Sequence, residues 1–169
     1  MSSVYEREFK GILEGDEKTL YKITKTCSAL EKRNYYLTQE KPFIVVRAAG
    51  SFGVDLVALR SDISFLIEIK SSNTDTLHFS SVDGKLQRQA EKMRSECEKT
   101  GTLPVYGFRL KGHGGDSWRL FTMDIQKLEG RTKILHNRLP KLSLSKSGNF
   151  IMRWGIGLPL ADFIMYLCK

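Results

Sequence analysis

Long apolar runs are missing from this sequence, and none approaches the roughly 20 residues that a helix needs to span a bilayer. The first ten residues are polar and mixed in charge, so they read as neither a signal peptide nor an anchor. Cysteine is scarce: Cys27, Cys97 and Cys168 are far apart, odd in number and without a CxxC pair. Neither a zinc site nor a disulfide framework is signalled, and a reducing, cytoplasmic compartment fits. His78, His113 and His136 lack HxH or HExxH spacing, and each reads as a surface or locally bonded imidazole. Internal repeats and low-complexity tracts are absent. Acidic residues vanish between Glu129 and Asp162, while Arg131, Lys133, Arg138, Lys141, Lys146 and Arg153 accumulate there.

Positive charge is what the chain has in excess, with a formal net charge of +8 and a pI near 9.4. Such a balance suits a polyanion or an acidic membrane surface. At 169 residues the chain is the size of one ordinary domain. We read it as one unit, with a core over 43–124, N-terminal helices over 1–41 and a basic elaboration over 125–169.

Apolar residues at Phe9, Ile12 and Leu13, then at Leu20, Ile23 and Cys27, predict two short helices or one interrupted near Gly15. A charged stretch over 29–41 leads to a β-branched strand at 43–46. Strands are predicted over 54–59 and 63–70, with Arg60, Ser61 and Asp62 as a tight hairpin connection. Leu86, Ala90, Met93 and Cys97 define one stripe of a helix over 82–99, with Gly101 at its C-cap. Two strands at 103–110 and 117–123, a strand at 149–154 and a helix at 158–167 complete an α/β chain with a mixed central sheet flanked by helices. The glycine-rich segment 111–116 reads as a flexible hairpin tip rather than a phosphate cradle, because no helix follows it.

The chemistry concentrates in the third strand. Glu68 and Lys70 alternate with Ile67 and Ile69, so period-two geometry puts carboxylate and ammonium on one face, roughly 7 Å apart. A hairpin brings Asp55 beside Glu68. Two carboxylates on an apolar sheet repel each other and cost desolvation, which makes sense mainly with a cation between them. Mg²⁺ is the natural candidate, since it takes oxygen ligands and binds through one or two carboxylates plus phosphate oxygens. Lys70 would orient or help deprotonate an attacking water, or stabilise negative charge. Trp118 and Trp154 read as core residues before base-stacking platforms. Gln87 and Gln89 are left out of the site.

Val45-Val46-Arg47-Ala48-Ala49-Gly50-Ser51, then Gly53-Val54-Asp55-Leu56-Val57-Ala58, then Ile67-Glu68-Ile69-Lys70, resembles the archaeal Holliday-junction resolvases of the PD-(D/E)xK nuclease superfamily. The resemblance covers about half the chain. It implies a restriction-endonuclease-like fold and a homodimeric, structure-selective endonuclease in the nucleoid, nicking four-way junctions in pairs with Mg²⁺, or Mn²⁺ in its place. Asp55 and Glu68 would hold the metal, with Lys70 catalytic and Glu6 completing the site, or else Glu8 or Glu14. Arg47 would contact phosphate, Ser51 would add a hydroxyl contact, and Arg7 would join them on DNA. Arg131, Lys133, Arg138 and Lys141 are read as phosphate contacts of the basic segment. Two other readings remain: a related nuclease acting on other branched, damaged or foreign DNA, and a non-catalytic DNA-binding module.

Overall fold

The computed structural model describes residues 2–48, 53–80 and 83–169. Three helices come first: α1 (Ser2–Glu14), α2 (Glu17–Ile23) and α3 (Ala29–Tyr35), the last followed by a 3₁₀ turn over Tyr36–Gln39. The interruption falls at Gly15, whose φ of 73° lets the chain reverse, and Asp16 then caps α2 by accepting from Thr19 N. α3 was not predicted. It buries only Asn34 and Tyr35, so it shows no apolar stripe, and a capping box between Ser28 and Glu31 sets its start.

The strands β1 (Ile44–Arg47), β2 (Leu56–Arg60) and β3 (Ile63–Ser72) form an antiparallel meander, with the two-residue connection Ser61-Asp62 between the last two. The short strand β4 (Thr76–His78) and the helix α4 (Lys85–Thr100) follow. The stripe predicted for α4 is present: Ala90, Met93 and Cys97 are buried, and Gly101 closes the helix at φ 68°. Position 82, where that helix was expected to begin, lies outside the described residues.

Next come β5 (Leu103–Leu110), β6 (Trp118–Phe121), α5 (Gly130–Arg138), β7 (Ser143–Leu144), β8 (Phe150–Arg153), β9 (Leu158–Pro159) and α6 (Leu160–Cys168). The main sheet runs β1-β2-β3-β5-β6-β9, and a three-stranded sheet runs β4-β8-β7. Among the described residues only β3 and β5 pair in parallel within the main sheet, so the expected mixed sheet flanked by helices is what the chain forms. The helix expected from 158 starts at Leu160, because Leu158 and Pro159 add an edge strand to β6. α5 was also not predicted, since only Leu135 and His136 of its nine residues are buried.

Phe65, Ile67 and Ile69 bury one face of β3, and Phe65 meets Phe43 and Phe163 edge-on with ring centroids 5.4 and 5.7 Å apart. That packing ties the third strand to β1's approach and to α6. Phe65→Ala is expected to cost about 3–5 kcal/mol of unfolding free energy by chemical denaturation. A loss below about 1 kcal/mol would show that the sheet is not anchored there.

Candidate active site

β3 carries Glu68 and Lys70 side by side, and their side chains form an ion pair with Lys70 Nζ 3.0 Å from Glu68 Oε2. Glu68 is 8% exposed. Asp55 does not lie inside β2 as expected but just before it. It still joins the hairpin: its N–H donates to Ile67 O at 3.1 Å, and its Oδ2 accepts from Ile69 N at 2.7 Å. The carboxylate thus bonds alongside the middle of the strand that bears Glu68, and the two acids meet.

Burial pushes the Glu68 carboxyl up to about 7, Lys70 pulls against that shift, and the charge of Asp55 adds to it. Tyr106, Glu68's register partner on β5, is buried, and burial followed by the charges of Glu68 and Asp55 raises its hydroxyl. Sequence reading missed Tyr106, because its place beside Glu68 follows from the parallel β3–β5 register, which leaves no local signal. Phe79 packs edge-on against its ring at 5.5 Å.

The three glutamates considered for completing the site part company. Glu8 accepts from Arg109 Nε at 2.9 Å and Trp118 Nε1 at 2.8 Å, while Glu14 pairs with Lys10 at 2.8 Å. Glu6 is 9% exposed and faces Arg47, with Oε1 3.4 Å from Nη2. Among the described residues no group of three His, Cys, Asp or Glu stands together as a metal cluster, so Glu6 does not join Asp55 and Glu68 in this arrangement. Ser51 lies outside the described residues. The pair that is present supplies hard oxygen donors at one point, and its mutual repulsion and buried Glu68 fit a divalent cation.

Arg7 is exposed on α1. Arg131 of the basic C-terminal segment is far from the carboxylates. Arg131 donates to Asp62 at 2.8 Å and to the Leu167 carbonyl at 2.8 Å, which puts it at the turn end of the β2–β3 hairpin. Six residue steps along β3 lead from Asp62 to Glu68, roughly 20 Å. Lys133, Arg138 and Lys141 are exposed, with the Arg138 guanidinium 4.5 Å over the Tyr166 ring. Gln87 holds the small sheet by accepting from Phe150 N at 2.7 Å. Trp118 is fully buried, as expected for a core residue.

The raised Glu68 makes stability depend on pH. A carboxyl whose folded value lies above its unfolded value gives stability that is complete below the unfolded value and is lost as pH rises through about 7. In chelator, the unfolding free energy of Glu68→Gln should equal that of the wild type near pH 4 and exceed it by on the order of 3 kcal/mol at pH 8. A gap that stays constant across that range would show that Glu68 titrates normally.

A family model described as archaeal Holliday junction resolvase (Hjc) matches residues 25–139. No curated sequence resembles the chain closely enough to count as a match. Among solved structures, the 1.6 Å structure of Hjc from Archaeoglobus fulgidus, a Holliday junction resolvase from an archaeal hyperthermophile, is 19% identical with a TM-score of 0.48. The match covers 75% of this chain and 85% of that one. Because the family model spans well over half of the sequence, the chain belongs to the archaeal Holliday junction resolvase family.

Proposed function

We propose that this chain is a Mg²⁺-dependent endonuclease that nicks DNA at four-way junctions, acting inside the cell on nucleoid DNA. The observation that carries this reading is the contact of Asp55 with the buried Glu68 at the mouth of β3, with Lys70 bonded to Glu68, in a chain of the resolvase family. Asp55 and Glu68 would hold the ion, with Glu6 as the third ligand once it is released from Arg47. A bound Mg²⁺, or Mn²⁺ in its place, supplies neutralisation of phosphate charge and a more acidic water.

The rest is done by the protein's own groups. Lys70 orients the water whose oxygen forms the new bond to phosphorus, and its ammonium faces the negative charge that develops there. The ester oxygen leaves with the electron pair of the broken P–O bond and takes up a proton. Arg47, 37% exposed at its side chain, reaches a neighbouring phosphate through its planar fork of donors. Ser51 and Arg7 extend that contact. Lys133 and Arg138, on the helix that Arg131 anchors, and Lys141 beyond its end are assigned to a second arm of the branched DNA.

Paired nicks need two sites, which a homodimer supplies. An apolar sheet surface supports that assembly. Ile44 on the edge strand β1 is 69% exposed, Val46 48%, and Leu59, opposite Ile44 on β2, 40%. Such a row attracts a second copy.

With Mg²⁺ and labelled four-way junction, flap, nicked and linear duplexes in one assay, the four-way junction is expected to be cut first. Asp55→Asn, Glu68→Gln and Lys70→Ala should each slow cutting at least about 100-fold while leaving junction binding intact. Near wild-type rates in either carboxylate variant would remove the site assignment, and cutting of flaps in preference to junctions would change the substrate.

A further inference from the structure

We infer that a pocket between α2 and the β5–β6 loop binds a backbone phosphate of the DNA strand that crosses the catalytic end of the sheet. The pocket holds about 270 Å³ and is lined by Lys22, Lys25, Thr26, Arg109 and His113, with Glu8 as the carboxylate among them. The inference rests on the DNA-nuclease reading and adds a contact that reading does not use. Lys22 lies outside the segment that the family model matches.

The loop that forms one wall is the glycine-rich tip 111–116, and it is not the free hairpin end that its composition suggests. Gly115 N–H donates to Thr26 Oγ1 at 2.8 Å, which fastens the tip to the segment after α2. His113 lies against the Trp154 ring with centroids 4.5 Å apart. Gly112 and Gly115 adopt φ values of 75° and 77°, which let so short a loop turn back. The wall is therefore built.

Its charge is only partly compensated. Lys22 and Lys25 are exposed and form no ion pair among the described residues, while Glu8 is shared by Arg109 and the Trp118 indole. Three cations thus line the pocket against one carboxylate that already serves one of them. Like charges gathered in this way repel one another and favour an anion.

Position identifies the anion. Phe108 is the register partner of Lys70, Arg109 is the partner of Ser71, and Lys111 N–H donates to Ser72 O at 2.9 Å. The pocket therefore opens at the same end of the sheet as the carboxylates, one strand over and on the opposite face. A strand laid across the ends of β3 and β5 meets the catalytic carboxylates on one side and the lysines on the other. The distal cations near Asp62 have no such geometry. Contacts of this kind position the backbone and read no base sequence.

The test compares wild type with K22A/K25A and K22R/K25R, binding labelled four-way junction and linear duplex across a salt series in chelator, where no cutting occurs. Thermal unfolding of each variant establishes that it is folded. Replacement of both lysines by alanine should reduce the magnitude of the slope of log affinity against log salt by about 0.9, the share of one phosphate, on both DNAs, and replacement by arginine should preserve it. A wild-type slope in the folded alanine variant overturns the inference. Wild-type cleavage in Mg²⁺, scored with the same preparations, separates the two claims, because failure to cut sinks the nuclease reading without altering the slope comparison.

Discussion

Asp55 and Glu68 are held together by the β2–β3 hairpin against their like charge. The two-residue connection at Ser61-Asp62 fixes the β2–β3 register, which carries the backbone of Asp55 to Ile67 and its carboxylate to Ile69 N. Phe65, Ile67 and Ile69 bury the other face of the strand, so a slip of one residue would turn Glu68 into the core. The apolar packing of β3 therefore enforces a like-charge contact that Lys70 relieves only in part. Strain of this kind is expected at a site built to receive a cation and then a polyanion.

That constraint gives the sheet a functional polarity. At the mouth of β3 lie the carboxylates, Lys70, Tyr106 and, around the strand ends, the lysine-lined pocket. At the other end, Arg60 and Arg131 are both bonded to Asp62 and to the last carbonyl groups of α6, so much of the positive charge there closes the fold. Net charge alone does not reveal this division. A guanidinium engaged with a carboxylate and a helix end has less to offer a phosphate than an exposed ammonium on α2.

How much could be read from the sequence follows the same line. The β2–β3 hairpin, α4 and β5 were legible because period-two and helical apolar patterns, a two-residue turn and Gly101 all pointed one way. Asp55, Glu68 and Lys70 were legible because charged side chains interrupted a strand that was otherwise apolar. α3 and α5 were not, since each buries only two residues and local capping or tertiary contact does the rest. The start of β2 was set two residues too early, on the wrong side of Asp55, which looks like a strand residue but bonds β3 through its carboxylate. Tyr106 and the pocket of Lys22, Lys25 and Arg109 depend on pairings between distant segments, and no local pattern encodes them.

The account turns on a carboxylate pair made to be neutralised by a divalent cation, and proton release on Mg²⁺ binding tests this most directly. Calorimetric titrations with Mg²⁺ in buffers of different ionisation enthalpy count the protons given up. Because burial holds the Glu68 carboxyl near 7, a metal that needs it ionised should release a substantial fraction of a proton per site at pH 6 and almost none at pH 9. Glu68→Gln should release none at either pH. Tight Mg²⁺ binding to the wild type with no proton release at pH 6 would contradict the central claim.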